Sequence, residues 1–195
     1  MEKLDARKRY TQKMLKASLL RLMEEKPESR ITVRELCELA QISRATFYSH
    51  YCDGYALLED IENDLLREFA ASMNQVRLFD AAALVEAMYS IIERNEPACR
   101  VLILKNTDSS VIQRMIAMAR ESALDCWRRE FPGTAEAELD MMYTLLSNGM
   151  LRVITEGYGV YPRAQVVGFA GRVVSASLSL FKTLPGARET RSRLQ

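Results

Sequence analysis

Residues 31–58, ITVRELCELAQISRATFYSHYCDGYALL, constrain the chain more than any other stretch, because they read as two short helices joined by a tight turn and followed by a third. Thr32 precedes apolar positions Val33, Leu36, Cys37 and Ala40 at helical spacing, and Glu35 three residues later completes a capping box. Gln41 and Ile42 make the turn. Ser43 caps the second helix, in which Ala45 and Thr46 are small enough to let a backbone approach a groove floor while Phe47 and Tyr51 turn to the core. Two short helices joined in this way form the layout of a helix-turn-helix reader, whose second helix enters the major groove of DNA.

The charge distribution fits a polyanion partner. The net charge is +1, yet residues 7–51 carry ten Lys or Arg against five Asp or Glu, and residues 52–181 carry twelve against eighteen. The basic part coincides with the two short helices, as phosphate neutralisation requires, although a basic amphipathic segment alone is common.

The run resembles the DNA-binding domain of the tetracycline-repressor (TetR) family of one-component regulators. The pattern ITV, then AxxS, then TFYxH followed by an aromatic residue, then an LL pair appears as Ile31-Thr32-Val33, as Ala40 to Ser43, as Thr46 to Tyr51, and as Leu57-Leu58. The likeness covers roughly the first third of the chain. It departs at Gln41, where the family has a glycine, and at Cys52 and Gly54, where it commonly has lysines that meet phosphates. The resemblance implies a double-stranded DNA partner with a palindromic operator and a DNA-facing set of Thr32, Ser43, Arg44, Ala45, Thr46, Tyr48 and His50. Arg44, Ala45 and Thr46 are expected at base edges, with Arg44 alone able to grip a guanine through two bonds; Thr32, Tyr48 and His50 are expected at phosphates. His50 reads equally as a packing residue beside Phe47 and Tyr51.

A chain of 195 residues, 48% of them apolar, can bury a core, and eight glycines with five prolines argue against a turn-rich β fold. The expected class is all-α with about nine helices: a helix-turn-helix domain at 1–52 and a helical regulatory and dimerisation domain at 53–195. Helices are expected at 7–26, ending before Pro27, and from Asp53 onward as a long connecting rod. Others follow at 80–95, 97–105, 110–131, 136–156 and 162–184, with a polar break at 106–109. No signal-peptide pattern and no unbroken 18-residue apolar run is present, so a cytoplasmic protein without membrane association is expected. Cys37, Cys52, Cys99 and Cys126 form no CxxC spacing and His50 is the one histidine, so neither a metal nor a cofactor is expected.

On the last helix Ala164, Gly168, Gly171, Ser175 and Ser179 line small side chains along one face. Something must pack there, either a helix of the same chain or, as the resemblance implies, a second copy forming a homodimer. Met88, Tyr89, Met115, Met118, Trp127 and Met142 can line a flexible apolar cavity for a small-molecule effector of unspecified identity, and the same residues read equally as plain core. Catalysis is not expected, because there is no phosphate loop, no GxSxG elbow and no second histidine. The expected function is a dimeric regulator, a repressor released by its effector; the rival is a helical adaptor or coactivator that keeps the fold and binds protein instead.

Overall fold

Helix α1 (Glu2–Glu25) places Leu15 and Leu19 in full burial and Leu20 close behind. It begins five residues ahead of the expected Arg7, and its last bond, Lys26 N–H to the Leu22 carbonyl at 3.1 Å, comes just before Pro27, which has no N–H to continue it. The structure, a computed structural model, describes residues 2–73, 80–105 and 109–183. Among the described residues there are nine α-helices and no strand.

After a single 3-10 turn (Glu28–Arg30), α2 (Val33–Ala40) opens on the expected capping box. Thr32 Oγ1 accepts the Glu35 N–H at 3.3 Å, and the Glu35 carboxylate accepts the Thr32 N–H at 2.9 Å. Helix α3 (Arg44–Tyr48) is held at its start by Ser43 Oγ, which accepts the Thr46 N–H at 3.0 Å, and α-type bonding runs on to Tyr51. Asp53 caps α4 (Gly54–Met73) by accepting the Ala56 N–H at 2.8 Å. Leu57, Ile61, Leu65, Leu66 and Phe69 form the buried stripe of this helix, one wide apolar face repeated turn after turn.

Asp80 caps α5 (Ala81–Arg94), and α6 (Glu96–Cys99) continues into one π turn (Arg100–Leu104), closed by the Lys105 N–H on the Arg100 carbonyl. Val101, Leu102 and Ile103 are buried in succession, which one helix face cannot achieve; the turn is enclosed by α1 and by two later helices, α7 (Ser110–Glu130) and α8 (Glu136–Gly157). The last helix is α9 (Arg163–Thr183). Of the expected break at 106–109 only Ser109 is described, and Leu184, the expected end of the last helix, lies outside the described residues.

One buried cluster runs from Leu15 on α1 through α4, α5 and α7 to Ala170 on α9, and a second gathers Leu124, Trp127, Leu139, Tyr143, Leu146 and Phe181 at the far end. Helix α9 lies closest to α5. A Cβ built on Gly171 would meet the Ala82 Cβ at 3.8 Å, so the glycine permits this approach. The segment Arg163–Phe181, interrupted by Arg163 and Arg172, is by length and composition apolar enough to cross a membrane, with mean hydropathy 1.3 and 22% of it buried.

Candidate nucleic-acid interface

The reading surface is built outward from Phe47. Its ring is fully buried between α1, α2 and α4, and Tyr51 beside it is 8% exposed, so the opposite side of α3 must face water. Arg44, Ala45 and Tyr48 lie on that exposed side, with Tyr48 at 57% exposure; Thr46 and His50 are half-buried at its border. Thr32 is exposed at the start of α2, and Ser43 at the start of α3. The seven residues expected at DNA thus sit on the two helix starts and the outer side of α3. Thr32, Ser43 and Thr46 have local partners as well. Thr32 donates its hydroxyl to Glu35 at 2.8 Å, and Ser43 Oγ lies 2.9 Å from Thr46 Oγ1, so both hydroxyls hold their helices whatever else they contact.

The electrostatics separate the cations of this surface. Lys26 is paired with Glu35 at 2.5 Å and Arg34 with Glu38 at 2.7 Å, whereas Arg44 forms no ion pair among the described residues. The Lys26 ammonium first, then the N–H and hydroxyl of Thr32, hold the Glu35 carboxyl down at about 2. Cys52 and Gly54, where the resemblance led to lysines being expected, supply no charge. Cys52 is exposed, and a side chain at Gly54 would start 3.4 Å from Glu28 Oε1. At the turn, Gln41 adopts φ 54° and ψ 44°, a left-handed conformation that a glycine takes without strain.

A polar seam joins this reader to α4. Tyr51 donates its hydroxyl to Asp60 Oδ2 at 2.8 Å, and Lys16 Nζ bridges Asp60 at 2.7 Å and Asp64 at 2.5 Å. Burial raises the Asp60 carboxyl, but the Lys16 ammonium and the Tyr51 hydroxyl outweigh it and leave the group below its ordinary value. Further along α4, Glu62 accepts from Ser110 at 2.9 Å, Asn63 from Arg114 at 2.8 Å, and Glu68 from Arg94 at 2.6 Å. Helix α4 is therefore bonded to the reader on one side and to α5 and α7 on the other.

No family model matches the chain. A stretch of 75 residues is 28% identical to an uncharacterized HTH-type transcriptional regulator, YxbF, of Bacillus subtilis (strain 168); the match spans 38% of this chain but only 18% of that protein. Among solved structures, a TetR transcriptional regulator from Streptococcus agalactiae 2603V superposes with a TM-score of 0.64 at 19% identity, covering 87% of this chain and 96% of that one. The chain has the TetR-regulator fold.

Within this TetR-type fold, α4, α5, α7, α8 and α9 line a partly open cavity of about 180 Å³. Of the six residues expected to line one, Met88, Met115 and Trp127 do so. The other three are a correction: Tyr89 packs on Tyr158 with ring centroids 5.6 Å apart, Met118 is 46% exposed, and Met142 lies against the second cluster. Each of the three stands one position from a lining residue, Met88, Ala119 or Tyr143, and the 100° turn per residue carries it out of the wall. Phe69, Leu84, Ile112 and Met150 are among the other lining residues and carry no signal that separates them from ordinary core.

The small residues of α9 are divided. Gly171 faces Ala82 of its own chain, whereas Ala164, Ser175 and Ser179 are exposed and Gly168 is half-buried. The sequence reading overlooks the larger feature beside them, in which Met141 and Leu145 on α8 are 64% and 66% exposed and Phe169 on α9 is 43% exposed. Met141 and Leu145 are four apart, and that spacing was the available signal.

Proposed function

We propose that the chain is a homodimeric DNA-binding transcriptional regulator of the cytoplasm, a repressor that leaves a palindromic operator when a small molecule occupies its cavity. Residues 1–52 are the DNA-reading domain and residues 53–195 the regulatory and dimerisation domain. The observation that carries this reading is α3, where an unpaired Arg44 with Ala45 and Tyr48 projects from a short helix anchored by the fully buried Phe47. That geometry supplies a base-reading side chain on a fixed platform. The apolar residues left exposed on α8 and α9, Met141, Leu145 and Phe169, support the dimer, because an exposed apolar patch marks an interaction site. Two copies then present two reading helices to successive major grooves.

The experiment is selection of bound fragments from random and genomic DNA by the purified protein. Enrichment of a palindrome supports the regulator. Binding that stays uniform across all sequences, together with capture of a protein partner through the α3 face, would replace it with the adaptor reading that Cys52 and Gly54 favour.

A further inference from the structure

From the walls of the cavity we infer that its ligand is an uncharged, mainly apolar molecule of about one aromatic ring, with at most one small oxygen function. The inference rests on the reading of this cavity as the effector site, and its test separates the two. Among the described residues, no Asp, Glu, Lys, Arg or His lines the space. The cation whose field reaches Tyr143 is Arg120, and it is held by Asp140 at 2.5 Å and by Glu121 at 2.6 Å. A carboxylate or ammonium entering the cavity would lose its water and find no counter-ion, which a buried charge requires.

The polar atoms of the wall are few and mostly spent. Tyr143 donates to the Ile116 carbonyl at 2.6 Å, and burial pushes its phenol up to about 12; Ser147 donates to the Thr144 carbonyl at 3.4 Å. The indole N–H of Trp127 is buried with no acceptor among the described residues. That leaves one unspent donor at the wall, enough for a hydroxyl or carbonyl oxygen and for nothing more polar.

Size follows from volume. Apolar cavities of about 150 Å³ stay dry and admit benzene, so a space of about 180 Å³ suits a six-membered ring with a short substituent. Met73, Met88, Met115 and Met150 stand around it, and their thioethers both yield to shape and make favourable contacts with an aromatic ring.

The chain contains a single tryptophan, and it is in this wall, so its emission reports occupancy without a label. The experiment titrates the full chain with benzyl alcohol, benzoate and benzylamine at neutral pH, following tryptophan emission and thermal unfolding. Benzyl alcohol should shift both readouts, with an apparent Kd tighter than that of either ion by about tenfold or more. Ala119→Leu, which fills the space from α7, should abolish the shift; Met115→Ala, which enlarges it, should keep the preference for the neutral probe. If either ion binds as tightly, if no probe binds, or if a folded Ala119→Leu chain binds like the parent, the inference is wrong. Release of the selected operator is measured in parallel. A neutral probe that binds without releasing DNA would overturn the effector reading and leave the ligand class standing.

Discussion

Gln41 holds a left-handed backbone at which a side chain costs about 1–2 kcal/mol, while a glycine there costs about 0.5–1 kcal/mol in entropy. Gln41→Gly should therefore gain about 0.5 kcal/mol and raise the Tm by about 1–2 °C, with DNA affinity unchanged; a lower Tm by calorimetry would show that the glutamine side chain contributes more than its strain removes. Arg44→Ala should cost about 1–3 kcal/mol on the selected site and little on random DNA, measured by titration at fixed salt; equal losses on both would place Arg44 at a phosphate. Glu35, held at about 2 instead of its ordinary 4.5, adds stability that is complete above pH 4.5 and is lost as pH falls toward 2. In Glu35→Gln the capping bond survives but the Lys26 pair does not, so acid titration followed by circular dichroism should show a flatter loss across that window. The caps at Thr32, Ser43 and Asp53 were legible in the sequence because donor and acceptor lie three residues apart. The left-handed turn was legible only through the glycine that a resemblance led one to expect there.

Helix α4 joins the two parts of the molecule, since Asp60 and Asp64 bond it to the reader and Glu62, Asn63 and Glu68 bond it to the regulatory helices, beside the direct packing of α1 on the π turn. Its hydrophobic end, at Phe69 and Met73, forms part of the cavity wall. Tyr51→Phe removes the phenol bond to Asp60 while leaving Lys16 in place, so it should cost about 0.5–1.5 kcal/mol of stability by denaturant titration. It should also weaken binding to all DNA sequences alike, because it loosens the platform without touching a base; a change confined to one base position would contradict this. The length and buried stripe of α4 were readable from its periodicity. Its polar partners were not, because Lys16 and Arg114 are far away in sequence and nothing local to α4 indicates them. The π turn at Arg100–Leu104 was equally hidden, for an apolar run such as Val101 to Ile103 states that a segment is enclosed and not how its bonds are wound.

At the scale of the whole molecule, the all-α class and the order of helices followed from the sequence, whereas the cavity wall did not. Apolar residues surround several of these helices, and which of them meet is decided by helices distant along the chain. The outer side of α8 and α9 is where a second copy is proposed to pack. Leu145→Glu puts a charge there without disturbing Ala82 or Gly171, and should lower the mass measured by light scattering while helix content stays constant. A dimer of undiminished mass would move the interface elsewhere. The same exposed face carries a consequence for abundance. Association that covers it draws the folded chain away from the unfolded one by mass action, so the melting temperature should climb as the protein is concentrated. Operator occupancy by a pair would vary with the square of the monomer level, making a few extra copies per cell count for more than their number.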